Sequence, residues 1–154
     1  MKLGKISSIL LALLANISII KTVNAGSTST LTVVIDGIRH QKGQICLRVF
    51  ADERGFPMNN TSEVQSDCIQ ITGNSLKKQF SGLKPGTYAV AVVDDQNGDQ
   101  TLNKDFLGIP QEGFGISKNP TVSIFTGTPK FRDASFPVKT NTTINIKMKY
   151  SLDS

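Results

Sequence analysis

The sequence predicts an all-β protein, a single antiparallel β-sandwich that follows an N-terminal signal peptide. Three observations lead there. Apolar and β-branched residues recur in short runs that alternate with polar ones, and glycine or proline interrupts those runs at close intervals. No long stretch has the apolar spacing of a helix.

The first predicted strand covers 31–38, where Leu31, Val33 and Ile35 face one way and Thr32 and Asp36 the other. A Lys42-Gly43 turn leads into 44–51, with Ile45, Leu47 and Val49 inward, and 66–72 repeats that logic with Ile69 and Ile71. The next, 76–80, is shorter and more polar. Leu83-Lys84-Pro85-Gly86 then sets proline and glycine where a turn needs them. Residues 87–94 follow as the most apolar strand, and with no polar face it belongs at the centre of a sheet. At the far end, 142–150 alternates Ile144, Ile146 and Met148 with Asn145, Lys147 and Lys149, which fits an edge or near-edge strand guarded by lysine. Between Leu107 and Lys139 the chain is rich in glycine and proline and contains Phe114, Phe125, Phe131 and Phe136. Further strands are expected at 121–125 and 135–139, and a connection this long is often functional.

The N-terminus reads as an export signal. Lys2 and Lys5 precede a largely apolar run from Ile6 to Ile20, and Val23-Asn24-Ala25 offers a cleavage site after Ala25. Asn16 and Lys21 interrupt the run, which is short for a bilayer span. The expected location is therefore periplasmic or extracellular, with no stable membrane span after cleavage. The organisation is a signal peptide at 1–25, a short tail at 26–29, a sandwich domain at 30–150 and a second tail at 151–154. Cleavage removes three of the 17 basic residues and leaves 14 against 12 acidic ones, so the mature net charge is only +2. That balance, with no aromatic and basic residues interleaved, argues against a nucleic-acid partner.

Cys46 and Cys68 are the only two cysteines. Parity puts both on the face of their strands opposite the isoleucines, and an even count in an exported chain favours a disulfide over two free thiols. Closing a loop of that length contributes about 3 kcal/mol. No Cys-x-x-Cys spacing supports a redox enzyme.

The run 82–99, Gly-Leu-Lys-Pro-Gly-Thr-Tyr-Ala-Val-Ala-Val-Val-Asp-Asp-Gln-Asn-Gly-Asp, is followed by Phe-Leu-Gly-Ile-Pro-Gln-Glu-Gly-Phe-Gly-Ile-Ser at 106–117 and by Pro-Lys-Phe-Arg-Asp-Ala-Ser-Phe at 129–136. Together these resemble the bacterial secreted-domain family of unknown function numbered 2141, over about residues 30 to 150. The resemblance implies an exported Greek-key sandwich similar to transthyretin-like (prealbumin-like) and carboxypeptidase regulatory-type domains. It brings no established activity. The transthyretin-like hydrolases that act on hydroxyisourate use several histidines and a Tyr-Arg-Gly-Ser terminus, whereas this sequence has one histidine and ends Tyr-Ser-Leu-Asp-Ser.

The stretch 94–103 is the richest in chemistry. With Asp95 as loop position 1, Asn97 falls at 3, Asp99 at 5, Thr101 at 7 and Asn103 at 9, an oxygen-rich spacing that suits a calcium ion. The pattern departs from an EF-hand loop: the turn glycine is Gly98 and not residue 100, and Phe106 stands where a bidentate glutamate is expected. A closing carboxylate would come from Asp94, Asp105, Glu112 or Asp133. The other reading is a metal-free turn, since Asn97-Gly98 favours a tight hairpin and Asp and Asn bond the nearby backbone. Catalysis is not expected. His40, the sole histidine, reads as a solvated turn residue, and no nucleophile, base and orienter can be named together.

Two functions are thus open. One is a noncatalytic exported module, with or without calcium in its acidic loop, whose end loops bind an envelope component, a glycan or a protein. The other is a small-molecule carrier or hydrolase with a pocket under 105–136, lined by Phe106, Phe114, Phe131 and Phe136 with Asp133 or Glu112 as anchor. A cavity beneath the long loop favours the carrier, and a filled loop the module.

Overall fold

The structure, a computed structural model, describes residues 27–153, so the signal peptide expected at 1–25 lies outside the described residues. Two sheets pack face to face. The smaller has the order β4 (Ser75–Leu83), β1 (Ser29–Asp36), β8 (Thr142–Lys147). The larger runs β3 (Glu63–Gln70), β2 (Gln44–Phe50), β5 (Gly86–Asp95), β6 (Gly113–Ile116), with β7 (Phe136–Val138) also beside β5. β7 pairs with the first residues of β5 and β6 with its last ones, so the two share one edge of the central strand.

Period two builds the core between the sheets. Leu31, Val33 and Ile35 of β1 face Ile45, Leu47 and Val49 of β2 and Val90 and Val92 of β5, all buried, with Ile146 of β8 closing the layer. The alternate residues of the larger sheet are covered as well. Phe50, Ala89, Ala91 and Ile116 pack under α1 (Phe131–Ala134) and the loop that contains Phe56. Ser117 ties the two layers: its hydroxyl accepts from Val90 N at 2.9 Å and donates to the Ala134 carbonyl at 2.7 Å. β5 lacks a polar face because both of its faces are roofed.

The sheets depart from the expected pattern in three places. β8 is an edge strand as predicted, but it lies parallel to β1 in the register Leu31↔Thr142 to Asp36↔Lys147; the chain crosses over after β7 and arrives running in the same direction as β1. Residues 121–125 form no strand, because the Ser123 hydroxyl takes the amides of Phe125 and Thr126 and folds the segment into a turn. The sequence reading missed β6, whose Gly113 and Gly115 dilute its apolar pattern. A Cβ on Gly115 would stand 2.6 Å from Ile146 Cγ2, and one on Gly113 2.5 Å from the Tyr150 ring, so bare backbone is what lets β8 and the residues after it lie across β6.

Candidate functional site

Asp94 and Asp95 end β5 on opposite faces, as consecutive strand residues must, and both are fully buried. Asp95 faces the outer layer and organises the acidic loop. Its Oδ1 accepts from Gly98 N at 2.8 Å, and its Oδ2 from Gln100 N and Gln44 Nε2, each at 2.9 Å. Glu112 clasps the loop's two ends, taking Gln96 N on Oε1 at 3.1 Å and Asn103 N on Oε2 at 3.0 Å. Asn97, Asp99 and Asn103 meet in the bend, where Asp99 Oδ2 accepts from both amide side chains at 2.9 and 3.0 Å. The Asn103 side chain first, then the Thr101 amide, holds the Asp99 carboxyl below the usual carboxylate range.

The proposed calcium positions therefore divide. Asn97, Asp99 and Asn103 converge, Thr101 donates its amide to Asp99 Oδ1, and Asp95 sits beneath them with its oxygens on backbone amides. Of the four further acids, only Glu112 reaches this loop's backbone. Asp94 points to the opposite face; Asp105 takes the amides of Leu107 and Ile109 at 2.9 Å within its own turn; Asp133, on α1, accepts from Lys130 N just before the helix. No group of three His, Cys, Asp or Glu side chains among the described residues is arranged to share one ion.

The fixed loop roofs a cavity. Between the outer face of β2, β5 and β6 and the connections at 100–110 and 122–129 lies a pocket of about 300 Å³. Ala91, Val93, Phe114 and Ile116 contribute to its floor, Leu102 and Ile109 come from the roof, and the lining is mostly apolar. Leu107 and Ile124 line it while remaining 68% and 70% exposed, which puts them at its rim; their neighbours Phe106 and Phe125 are 94% and 92% exposed. Of the aromatic residues expected in a pocket, only Phe114 lines this one. Phe106 is in solvent, Phe136 is in the core, and Phe131 packs edge-on against Phe56 at 5.8 Å. Neither Asp133 nor Glu112 is in the lining, so the expected acidic anchor is absent from it.

Cys46 also lines the pocket, directly opposite Cys68 across the β2–β3 ladder, with the sulfurs 2.08 Å apart in a disulfide.

On the other face of β5, Asp94 anchors a polar knot that sequence reasoning missed. Its Oδ2 accepts from His40 Nδ1 at 2.8 Å and from the Tyr150 hydroxyl at 2.5 Å, while Oδ1 takes Gln96 Nε2. The Tyr150 oxygen in turn accepts from Arg39 N at 2.8 Å, and the Arg39 guanidinium lies 4.8 Å from the ring centre. Burial first, and then the bond to Asp94, pushes the Tyr150 phenol up to about 12. His40 is exposed, as expected of a turn residue, but it is also tethered to a buried carboxylate, which the sequence did not reveal. The signal in the sequence was faint: a polar Asp94 at the inward parity of an otherwise apolar strand.

A family described as "Uncharacterized protein conserved in bacteria (DUF2141)" matches residues 33–145, from within β1 to within β8, and so spans the loop, the disulfide and the pocket walls. No curated protein and no solved structure matches the chain.

Proposed function

The chain belongs to this bacterial family of uncharacterised proteins, and from that premise we propose that it is an exported carrier that holds a small apolar molecule against the outer face of its larger sheet. One observation supports this most: the loops at 100–110 and 122–129 leave a mostly apolar cavity of about 300 Å³, a size within the usual range for ligand sites. A module that binds only through surface loops has no need of such a space. The exposed side chains at the rim add to the case, because Leu107 and Ile124 gain burial when an apolar ligand enters. In this reading Asp95 and Glu112 serve the pocket by holding its roof in place.

The test is saturable binding of N-phenyl-1-naphthylamine, a neutral apolar probe, to the mature protein, with native mass spectrometry for any retained ligand. Leu107→Ser with Ile124→Ser should weaken the probe at least about fivefold, given the apolar area lost at the rim. Absence of saturable binding and of any retained molecule would reject the carrier.

Calcium is a second reading of the acidic loop, and a specific observation favours it. Gln100, at position 6, has φ 59°, the sharp turn for which an EF-hand uses glycine. A bound ion must raise the melting temperature by linkage. Coincident melts in chelator and in millimolar calcium, unchanged by Asp99→Ala, would remove it.

A further inference from the structure

We infer that the molecule the pocket takes is an amphipathic anion, an apolar body with a carboxylate-like head that meets Lys104 at the roof and Arg48 at the floor. This rests on the carrier reading above and adds the charge of the ligand. The lining contains two cationic side chains, Arg48 and Lys104, and no Asp or Glu. A surface with roughly balanced charge has here assembled a pocket with charge of one sign.

The two cations differ in how far the protein neutralises them. Arg48 donates from Nη2 to the Gln100 carbonyl at 2.7 Å and has Glu63 at 3.6 Å, so it is fixed in direction and partly paired. Lys104 pairs with no carboxylate among the described residues; its ammonium reaches only Met58 Sδ, at 3.8 Å, another lining atom. A cation left over apolar walls attracts an anion more strongly than one in open water, because the walls lower the local dielectric. The aspartate nearest in sequence, Asp105, is turned to the amides of Leu107 and Ile109 and forms no ion pair with Lys104. Thr128 lines the same space, and its hydroxyl is suited to a remaining lone pair of a carboxylate. A cationic or purely hydrocarbon ligand would gain nothing from Lys104.

The experiment is displacement of N-phenyl-1-naphthylamine by three ten-carbon ligands below their aggregation limits: decanoate, decanol and decyltrimethylammonium. Decanol is the more apolar of the first two, so a cavity indifferent to charge prefers it. The expected result is half-displacement by decanoate at about one-tenth the concentration of decanol, the size of one hydrogen bond to a charged group, with the ammonium weakest. Lys104 is exposed, so Lys104→Met should fold normally and lose that preference, and Lys104→Glu should turn it toward the ammonium. If the probe binds and decanoate and decanol agree within twofold, or Lys104→Met keeps the wild-type ratio, the anion inference falls and the carrier stands. If neither the probe nor any of the three ligands binds, both fall.

Discussion

Tyr150→Phe is the sharpest probe of the buried knot at Asp94. The substitution keeps the ring on which the Arg39 guanidinium lies at 4.8 Å and against which His40 packs edge-on at 5.4 Å. It removes only the hydroxyl, which donates to Asp94 and accepts from Arg39 N. Asp94 keeps His40 and Gln96, so its charge is not orphaned, and the loss is that of one hydrogen bond to a charged group, about 2 kcal/mol. For the 127 described residues the entropy of unfolding is about 0.27 kcal/mol per kelvin, which converts that loss to a fall in Tm of about 7 °C. Thermal and urea melts of the purified domain measure both quantities. Because His40 bonds the same Asp94 oxygen, a double-mutant cycle with His40→Ala should show coupling of at least about 0.5 kcal/mol. A Tm within about 2 °C of wild type, with additive free energies, would show that the knot contributes nothing to stability.

The other predictions concern the disulfide, the glycines and alkaline pH. Cys46→Ala with Cys68→Ala opens a loop of sequence separation 22 and should cost about 3 kcal/mol, or about 11 °C in Tm; an unchanged melt would show that the bridge does not constrain the unfolded chain. Gly115→Ala sets a methyl 2.6 Å from Ile146 Cγ2 and should destabilise by about 1–3 kcal/mol, measured by urea denaturation, whereas Gly82→Ala meets nothing within 4 Å and costs only its positive φ of 79°. Tyr150, raised to about 12, binds its proton more tightly in the folded state. Its stabilisation is therefore whole below the unfolded value near 10 and is lost as pH rises through about 12. Melts from pH 9 to 12 should show that decline in wild type and less of it in Tyr150→Phe.

Much of the fold was legible because a half-buried strand writes its geometry every second residue. Leu31, Val33 and Ile35 or Ile45, Leu47 and Val49 need no context to be assigned inward. The same parity placed Cys46 and Cys68 on the outer face, where they pair across β2 and β3. Three features were not legible, each for its own physical reason. β6 is four residues long with glycine at alternate positions, so its inward face has no side chains to read. The parallel β1–β8 pairing depends on where a long connection lands, and nothing in the residues of either strand records direction. The knot joins residues 54 and 56 apart from Asp94, and a hydrogen bond over such distances has no periodicity to announce it. Within the acidic loop the sequence identified the oxygen donors and left their partners open, since the same carboxylate spacing serves a cation or a row of backbone amides.

That ambiguity bears on how the pocket exists at all. An apolar cavity under loops tends to collapse, because each side chain that sinks into it gains contacts with the sheet. Here the roof is held away from the floor by bonds that an inward shift must break. Asp95 fixes Gly98 and Gln100, Glu112 fixes Gln96 and Asn103, and Arg48 grips the Gln100 carbonyl from the sheet itself. Of the residues so held, Gln100 and Asn103 directly flank Thr101 and Leu102, which line the cavity with Ala91 and Val93. Asp95 and Glu112 are both buried, so water competes poorly for these bonds. Replacing Glu112 by Gln exchanges one acceptor oxygen for a donor and leaves either Gln96 N or Asn103 N without its partner. The roof then loses one end of its clasp while the sandwich core, of which Glu112 is no part, is preserved. The expected outcome is a Glu112→Gln protein that binds N-phenyl-1-naphthylamine several-fold more weakly at a Tm lowered by no more than about 4–11 °C, which corresponds to the ~1–3 kcal/mol of one orphaned buried group. Binding equal to wild type at that lowered Tm would mean that the cavity keeps its shape without the clasp.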